Sequence, residues 1–235
     1  MPVTSETIGL NWGLTTQIIA HGENLLIFSD ALYEVTPNGE SEKKADYSTG
    51  TIAAAILNDF LYAVDKSGTF SKIRLKDWFI EPLEEFFTEA KKIKALVAHK
   101  DYLIVFSDKI WEVYPDGRSC EMDNEDWSTT KSVAILDNYA YVLKTSGEIF
   151  KLNLDDYTHK RLSYDFGVAN TLVAYKDYIY VFGDNLYEMN PANGKHWIGQ
   201  EDDWSNTLAA VSTSTNFYAI HSGSDGNLWK LDVVE

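Results

Sequence analysis

Short apolar runs alternate with turn-forming residues along the whole chain, and the pattern repeats about every 39 residues. In one version of the unit, two apolar runs flank a very short turn: Asn24–Tyr33, Asp101–Trp111 and Asp177–Tyr187. A second version alternates with the first and has a longer turn with a glycine: Leu61–Phe70, Tyr141–Phe150 and Phe217–Trp229. Apolar runs bounded by Gly, Pro, Asn and Asp are typical of β-strands joined by hairpins. The chain is therefore predicted to contain six copies of one β-unit.

Each unit is predicted to hold four strands. In the first unit they cover residues 18–20, 25–28, 32–35 and 40–44. A tight hairpin at Ser29-Asp30 joins the second strand to the third, and Pro37-Asn38-Gly39 makes the next turn. The third strands share an aromatic residue at one position: Tyr33, Phe70, Trp111, Phe150, Tyr187 and Trp229. We expect these rings to pack between neighbouring sheets, because a large ring recurs at the same place in every unit.

Short strands repeating at this period predict an all-β fold, a single six-bladed β-propeller over residues 1–235. The blades are expected at about 17–50, 51–92, 93–130, 131–169, 170–207 and 208–235 plus 1–12. The last unit ends after its third strand, so Thr4–Trp12 is expected to supply the missing fourth strand and close the ring. The alternation of two unit types predicts pseudo-three-fold symmetry of blade pairs.

One segment is compatible with two kinds of element. Residues 81–91 look helical on their own, with Pro82 early and good helix formers after it. The repeat instead places residues 80–86 on a fourth strand, and proline is tolerated on an edge strand. A strand is the expected element, and a short helical insertion is the alternative.

The chain is acidic, with a formal net charge of −16 and an isoelectric point of about 4.6. Such a charge would repel nucleic acid and would suit a cationic partner, although it also serves solubility alone. Cys120 is the single cysteine, which rules out an intramolecular disulfide. We find no leader pattern and no apolar run of about 18 residues, so no membrane insertion is expected. A cytoplasmic location is the default expectation, and a mature secreted protein is the alternative.

An aromatic residue follows the fourth strand of every unit: Trp12, Tyr47, Phe87, Trp127, Phe166 and Trp204. In the odd units an aspartate precedes it, giving three Asp-aromatic segments: Asp46-Tyr47, Asp126-Trp127 and Asp203-Trp204. The hairpins of the same units add Asp30, Asp108 and Asp184. In a propeller these hairpins and connections share one face, and rings beside carboxylates and hydroxyls can bind sugars. All nine residues are therefore predicted to bind ligand; alternatively, each aspartate closes a tight turn and each ring packs between blades.

Catalytic and cofactor motifs are not recognised in the sequence, which has no nucleophile elbow, P-loop or dinucleotide fingerprint. His21 and His99 occupy equivalent positions, but the third copy has Tyr175, which favours a packing or surface role. No histidine pair has a metal-binding spacing and Cys120 has no second cysteine, so no metal and no cofactor is predicted. The chain is expected not to be an enzyme. A hydrolase or lactonase with a metal in the central channel is the enzymatic alternative.

The alternation of segments such as Leu61–Phe70 with tryptophan-containing blade ends resembles propeller lectins of the tectonin and tachylectin type. The resemblance covers most of the chain and implies repeated sugar sites without catalysis, at positions that include Trp127 and Trp204. The chain departs from those lectins in its two unit types and in lacking their regular Trp-Gly signature. A multivalent lectin for a glycan or glycoprotein is the first hypothesis, and an interaction platform for a basic protein is the alternative. Salt should weaken only the second kind of binding.

Overall fold

The computed structural model describes residues 2–47, 50–83, 87, 92–123, 125–163, 165–222 and 226–234. Its strands form six antiparallel sheets of four strands each. The first strand of every sheet contacts the first strands of the two neighbouring sheets, so the sheets form a closed ring. The predicted all-β, six-bladed propeller is therefore confirmed. Within the described ranges, no helix is long and apolar enough to cross a membrane.

The strands follow the blades in chain order, apart from one strand at the N-terminus. Blade one contains β2 (Gln17–His21), β3 (Asn24–Phe28), β4 (Leu32–Val35) and β5 (Ser41–Ala45). Blade two contains β6 (Thr51–Leu57), β7 (Phe60–Asp65), β8 (Phe70–Arg74) and β9 (Phe79–Leu83). Blade three contains β10 (Ala95–His99), β11 (Tyr102–Phe106), β12 (Ile110–Val113) and β13 (Ser119–Asp123). Blade four contains β14 (Thr130–Leu136), β15 (Tyr139–Lys144), β16 (Ile149–Asn153) and β17 (His159–Ser163). Blade five contains β18 (Thr171–Tyr175), β19 (Tyr178–Phe182), β20 (Leu186–Met189) and β21 (His196–Gln200). Blade six contains β22 (Thr207–Ser212), β23 (Phe217–His221), β24 (Leu228–Val233) and, from the other end of the chain, β1 (Val3–Gly9).

Blade six is completed by the N-terminal strand. β1 pairs with β24 in antiparallel register, with Val3 opposite Val233. Beyond the strand, the Trp12 amide donates to the Gly226 carbonyl at 2.8 Å. The two ends of the chain therefore share one sheet, as predicted, and the last blade has no unpaired third strand.

The hydrophobic core lies between the blades. Middle strands are almost fully buried because both of their faces meet a neighbouring sheet; Leu25, Leu26 and Ile27 of β3 are all 0% exposed. The buried residues form six clusters, one at each junction between neighbouring blades. The aromatic residues of the third strands all belong to these clusters, which confirms their predicted packing role.

The segment with two possible elements begins as a strand. β9 is the outer strand of its sheet and includes Pro82, which lies opposite Ser71 of β8. An outer edge tolerates proline because its free side needs no N–H donor. The strand prediction is therefore confirmed for residues 80–83, while residues 84–86 and 88–91 lie outside the described residues.

The inner strands surround a central channel. The even blades carry a β-bulge at the start of this strand, since their register shifts between Thr51 and Ala53, between Thr130 and Ser132, and between Thr207 and Ala209. The extra residues are Ile52, Lys131 and Leu208. A bulge redirects a side chain, and all three extra residues line the channel.

Candidate functional site

Nearly all of the candidate residues lie on one face of the ring, here called the upper face. It carries the turns between second and third strands and the connections from each fourth strand to the next blade. The Trp127 amide donates to the Asp108 carbonyl at 3.1 Å, which joins a connection to a hairpin of the same blade. The upper face therefore brings each Asp-aromatic segment next to the hairpin aspartate of its blade, as expected.

Most of the predicted aspartates point into solvent. Asp30, Asp46, Asp126, Asp184 and Asp203 are exposed. Their carboxylates are available to a partner because they lie on turns above a rigid ring.

Several of these carboxylates already have local partners. Asp108 is partly exposed and forms an ion pair with Lys92 at 3.1 Å, and Asp46 pairs with Lys43. The Ser128 amide donates to Asp126 at 2.9 Å, and the Ser205 amide donates to Asp203 at 2.9 Å. Side chains of this type close tight turns, as the packing alternative predicts.

The turn hydrogen bonds also affect ionisation. Hydrogen bonds from Ser128 hold the pKa of Asp126 below its usual range. Those from Ser205 do the same for the pKa of Asp203. A lowered carboxyl pKa means that both groups carry their charge at neutral pH.

The aromatic members of the segments are not on the surface. Trp127 is 0% exposed and Trp204 is 2% exposed, and Tyr47 is partly buried. Each ring meets the last residue of the second strand in its own blade edge to face; the centroid distances are 5.7 Å for Phe28–Tyr47, 6.0 Å for Phe106–Trp127 and 5.6 Å for Phe182–Trp204. A sugar stacks on an exposed ring face, and neither tryptophan offers one here. The structure supports the packing interpretation for these two rings.

The three segments do not converge on a single site. They belong to blades one, three and five, so an even blade separates each from the next. The arrangement is three copies of an acidic turn around the upper face. Such copies suit a partner with several basic side chains better than one small ligand.

The sequence analysis missed a second repeated carboxylate. Glu34, Glu112 and Glu188 occupy equivalent places in the third strands of the odd blades, since they lie opposite Leu26, Ile104 and Tyr180 in their ladders. The signal was present as an aliphatic-aromatic-glutamate motif: Leu32-Tyr33-Glu34, Ile110-Trp111-Glu112 and Leu186-Tyr187-Glu188. Repetition at this position indicates a common structural role at the junction with the next even blade.

Each of these glutamates accepts a hydrogen bond, and Glu188 accepts one from the Tyr180 hydroxyl of its own blade at 3.3 Å. Glu112 accepts from the Tyr114 hydroxyl at 2.8 Å and from the Tyr157 hydroxyl of the next blade at 2.7 Å. Glu34 accepts from Asn24 at 3.1 Å and from Lys44 at 3.0 Å. Burial opposes the ionisation of Glu34, but its hydrogen bonds outweigh burial and hold the pKa below the usual range. These groups are paired structural carboxylates rather than open ligands.

The central channel does not have the donor set of a metal site. It has a volume of about 480 Å³, and the described residues that line it include no Asp, Glu, His or Cys. Its polar side chains are Gln17, Lys94, Lys131, Ser132, Asn170 and Thr171. In the part of the chain that the structure describes, no group of three His, Cys, Asp or Glu residues is placed to hold a metal ion. Among the described residues, the lining of this channel offers no carboxylate or imidazole that would bind a cation or activate water.

Comparison with known proteins gives the fold and nothing finer. No protein-family model and no curated protein sequence matches the chain. Among solved structures it is similar to a gluconolactonase-like protein, at 12% identity and a TM-score of 0.73, covering 98% of this chain and 92% of that one. It is similar to the WD40 repeats of RRP9, at 7% identity and a TM-score of 0.67, covering 98% and 97% of the two chains. It is also similar to PorZ of the Porphyromonas gingivalis type-IX secretion system, at 11% identity and a TM-score of 0.58, where 95% of this chain spans 39% of that one. The chain is a six-bladed β-propeller with WD40-like structural neighbours.

Proposed function

We propose that this chain is a non-catalytic interaction propeller that binds a basic protein segment on its upper face. The main supporting observation is that the aspartate and the aromatic residue of each Asp-aromatic segment differ in exposure. Their tryptophans are buried, while Asp46, Asp126 and Asp203 are exposed. The upper face therefore presents negative charge to a partner at three places, one in each Asp-aromatic segment.

The neighbouring residues strengthen the same charge. Glu125 precedes Asp126, and Glu201 and Asp202 precede Asp203; all three of these additional acids are exposed. A face with clustered carboxylates in a chain of net charge −16 attracts basic partners at long range and speeds their association. The closed ring of packed blades carries these turns on one face, and a partner that meets a preformed surface loses less entropy on binding.

Two other functions have less support from the structure. A lectin role stays a prediction, but it has lost the stacking surface that Trp127 and Trp204 were expected to provide. A catalytic role is suggested only by the enzyme names of distant structural neighbours, and the fold alone does not carry function. The lining of the channel, which has no Asp, Glu, His or Cys among its described residues, does not favour it either.

The test compares matched neutralising variants on the two faces of the ring. The first variant carries Asp46→Asn, Asp126→Asn and Asp203→Asn on the upper face; asparagine keeps an oxygen that can accept the turn hydrogen bonds of Ser128 and Ser205. The control carries Asp59→Asn, Asp101→Asn and Asp177→Asn, which are exposed residues in turns between first and second strands on the opposite face. Both variants lose the same net charge.

The probe is a fluorescein-labelled octalysine peptide, followed by anisotropy at low and high salt. We expect the upper-face variant to bind about tenfold more weakly than the parent at low salt, and the control to change by about twofold or less. High salt should remove most of the difference. Equal weakening in both variants would mean that net charge alone attracts the peptide, and it would overturn the proposed surface.

A further inference from the structure

The outer strand of blade five differs in composition from the other outer strands. Each blade ends in an outer strand that pairs with a neighbour on one edge only. Among the six outer strands that the structure describes, β21 is the one without Asp, Glu, Lys or Arg; it reads His196-Trp197-Ile198-Gly199-Gln200. The other five strands contain these charged residues: Glu6, Glu42, Glu81, Glu121 and Lys160. Charges on an edge strand oppose pairing with another chain, so β21 lacks a protection that the others have.

The difference is clear at the position of Ile198. This residue lies opposite Tyr187 of β20, the aromatic residue that recurs in every third strand. The residues opposite the equivalent rings of blades one, three and four are all charged: Lys43, Glu121 and Arg161. Blade five therefore has an aliphatic residue where three other blades have a charge.

The side chains of β21 are apolar and exposed. Trp197 is 39% exposed and Ile198 is 48% exposed. The Trp197 ring meets the partly exposed ring of Tyr178 edge to face, with 5.7 Å between the centroids. Exposed apolar side chains that lie together are typical of interaction surfaces, and tryptophan is enriched where binding energy is concentrated.

The backbone of β21 also has groups free for pairing. The Asn190 amide donates to the Lys195 carbonyl at 2.8 Å, so this carbonyl points into the sheet. Backbone groups alternate in direction along an antiparallel ladder, and those of His196 and Ile198 therefore point away from β20. The register shift of β21 leaves Gly199 as an extra residue, which ends the regular stretch. Two residues of this edge can each offer an N–H and a C=O to another strand.

The charges that flank β21 favour a second copy of the same chain as the partner. Lys195 precedes the strand, Glu201 and Asp202 follow it, and all three are exposed. When two copies of such a strand pair in antiparallel orientation, the basic end of each lies beside the acidic end of the other. Opposite charges across a strand pair stabilise it. The strand itself adds no repulsion between two chains of net charge −16.

We propose that the free edge of β21 pairs with β21 of a second copy in an antiparallel, two-fold arrangement centred on Trp197. In this register His196 of each copy exchanges two backbone hydrogen bonds with Ile198 of the other. The two Trp197 side chains lie opposite each other at a position without backbone hydrogen bonds, where cross-strand neighbours are closest. A two-fold contact uses the same edge of both copies, so association stops at a dimer.

The dimer is expected to be weak, because only a short stretch of strand takes part. Small interfaces belong to transient complexes, and we expect half of the chains to be dimeric at a concentration on the order of 100 μM. The pairing does not use the acidic turns of the upper face. It can fail while the proposed binding of a basic segment stands.

The first test measures mass against concentration by sedimentation velocity of the whole chain. Between about 5 and 500 μM, the weight-average mass should rise from 26.6 kDa toward about twice that value. Ile198→Lys introduces the residue type that blade one has at this position, and it should keep the chain monomeric at every concentration. Met122→Lys is the matched control, since Met122 is 37% exposed on the outer strand of blade three, and it should dimerise like the parent. Thermal unfolding checks that both variants fold.

The second test examines the register by cysteine cross-linking, in a Cys120→Ser background because Cys120 is exposed. Trp197→Cys would place two thiols opposite each other at the two-fold axis, with Cα atoms about 4.5 Å apart, a separation that a disulfide can span. Ile198→Cys is the control, since its thiols would lie on a diagonal of about 7–8 Å between Cα atoms. Mild oxidation at high protein concentration should therefore give covalent dimers much faster for Trp197→Cys.

Three results would overturn the proposal. A parent chain that stays monomeric over the whole range would exclude the dimer and leave the edge to a strand of another protein. Equal dimerisation of Ile198→Lys and the parent would place the contact elsewhere. Cross-linking of Ile198→Cys as fast as that of Trp197→Cys would exclude the register centred on Trp197.

Discussion

The junctions around Trp127 and Trp204 occupy the same place in two successive blade pairs, yet their polar surroundings differ. In the junction of blades three and four, the Trp127 indole donates to Asp123 at 3.1 Å. The Lys144 ammonium lies 4.7 Å from the centroid of the ring and also donates to the Asp126 carbonyl at 2.8 Å. The buried indole N–H therefore has an acceptor, and a cation faces the ring.

The junction of blades five and six keeps the rings and changes the partners. Gln200 stands where Asp123 stands in blade three, and His221 stands where Lys144 stands in blade four. The Trp204 indole N–H is buried and has no hydrogen-bond partner among the described residues. The His221 ring lies edge to face at 4.6 Å from the Trp204 ring, and burial lowers its pKa, which favours the neutral imidazole.

The difference shows which feature of the junction is essential. The position and burial of the tryptophan are the same in both copies, whereas among the described residues the indole hydrogen bond and the cation over the ring are found only at Trp127. Burying a ring of this size contributes several kcal/mol, while a single hydrogen bond contributes about 1 kcal/mol net. Burial of the rings is therefore the main source of stability in both junctions, and the polar groups make smaller contributions that differ between the two.

Removing residues 1–12 should have the largest effect on stability. The deletion acts on the junction of blades five and six, which contains Trp204, and not on the junction around Trp127. Val3 packs in the same cluster as Trp204, and the Gln200 amide donates to Ser5 at 3.1 Å. The deletion would also expose the unpaired edge of β24. We expect a cost greater than the total stability of about 5–15 kcal/mol that is typical of a domain, so no cooperative thermal transition should remain by circular dichroism.

A synthetic peptide of residues 1–12 provides the control for this deletion. Added in excess, it should restore a cooperative transition by pairing with β24, while a scrambled peptide should not. A truncated chain that unfolds at the parent temperature would contradict the role of β1 in closing the ring.

Alanine at each tryptophan should have the next largest effect. Trp127→Ala and Trp204→Ala should each lower the free energy of unfolding by about 3–5 kcal/mol, measured by urea denaturation, because each leaves a large cavity between blades. Trp197→Ala is the matched control, since this tryptophan is 39% exposed on an outer strand, and it should cost about 1 kcal/mol or less. A lectin role for the two buried rings predicts the opposite outcome: loss of glycan binding with little loss of stability.

The repeat made much of the fold predictable from the sequence. Strand alternation and turn residues recur at a fixed period, so each unit supports the reading of the others, and even the sharing of blade six by Thr4–Trp12 could be inferred from the missing strand. The repeat also predicted a strand at Pro82 and its neighbours, where local propensity alone predicts a helix. Local propensity was weaker evidence there than the pairing partner that the repeat supplied.

The candidate site was less predictable, because exposure depends on the distance between blades. The residues around Trp127 look the same whether the ring faces solvent or the next sheet, and only the assembled junction decides. The bulge that turns Lys131 into the channel adds a single residue to one strand, which no hydrophobic period reveals. Glu112 was visible as part of a motif, but its partner Tyr157 is 45 residues away and in the next blade.

The smallest predicted effect tests the hydrogen bond that distinguishes the two junctions. Asp123→Ala should lower the free energy of unfolding by about 1–3 kcal/mol, because the Trp127 indole would be left buried without an acceptor. Gln200→Ala should cost less, since it removes the amide hydrogen bonds to Ser5 and Asp202 but takes no acceptor from the buried Trp204 indole. Asp123→Asn keeps an acceptor oxygen and should recover most of the loss, with all three variants compared by urea denaturation. Equal losses for the two alanine variants, with no recovery in Asp123→Asn, would contradict the stabilising role of the indole hydrogen bond.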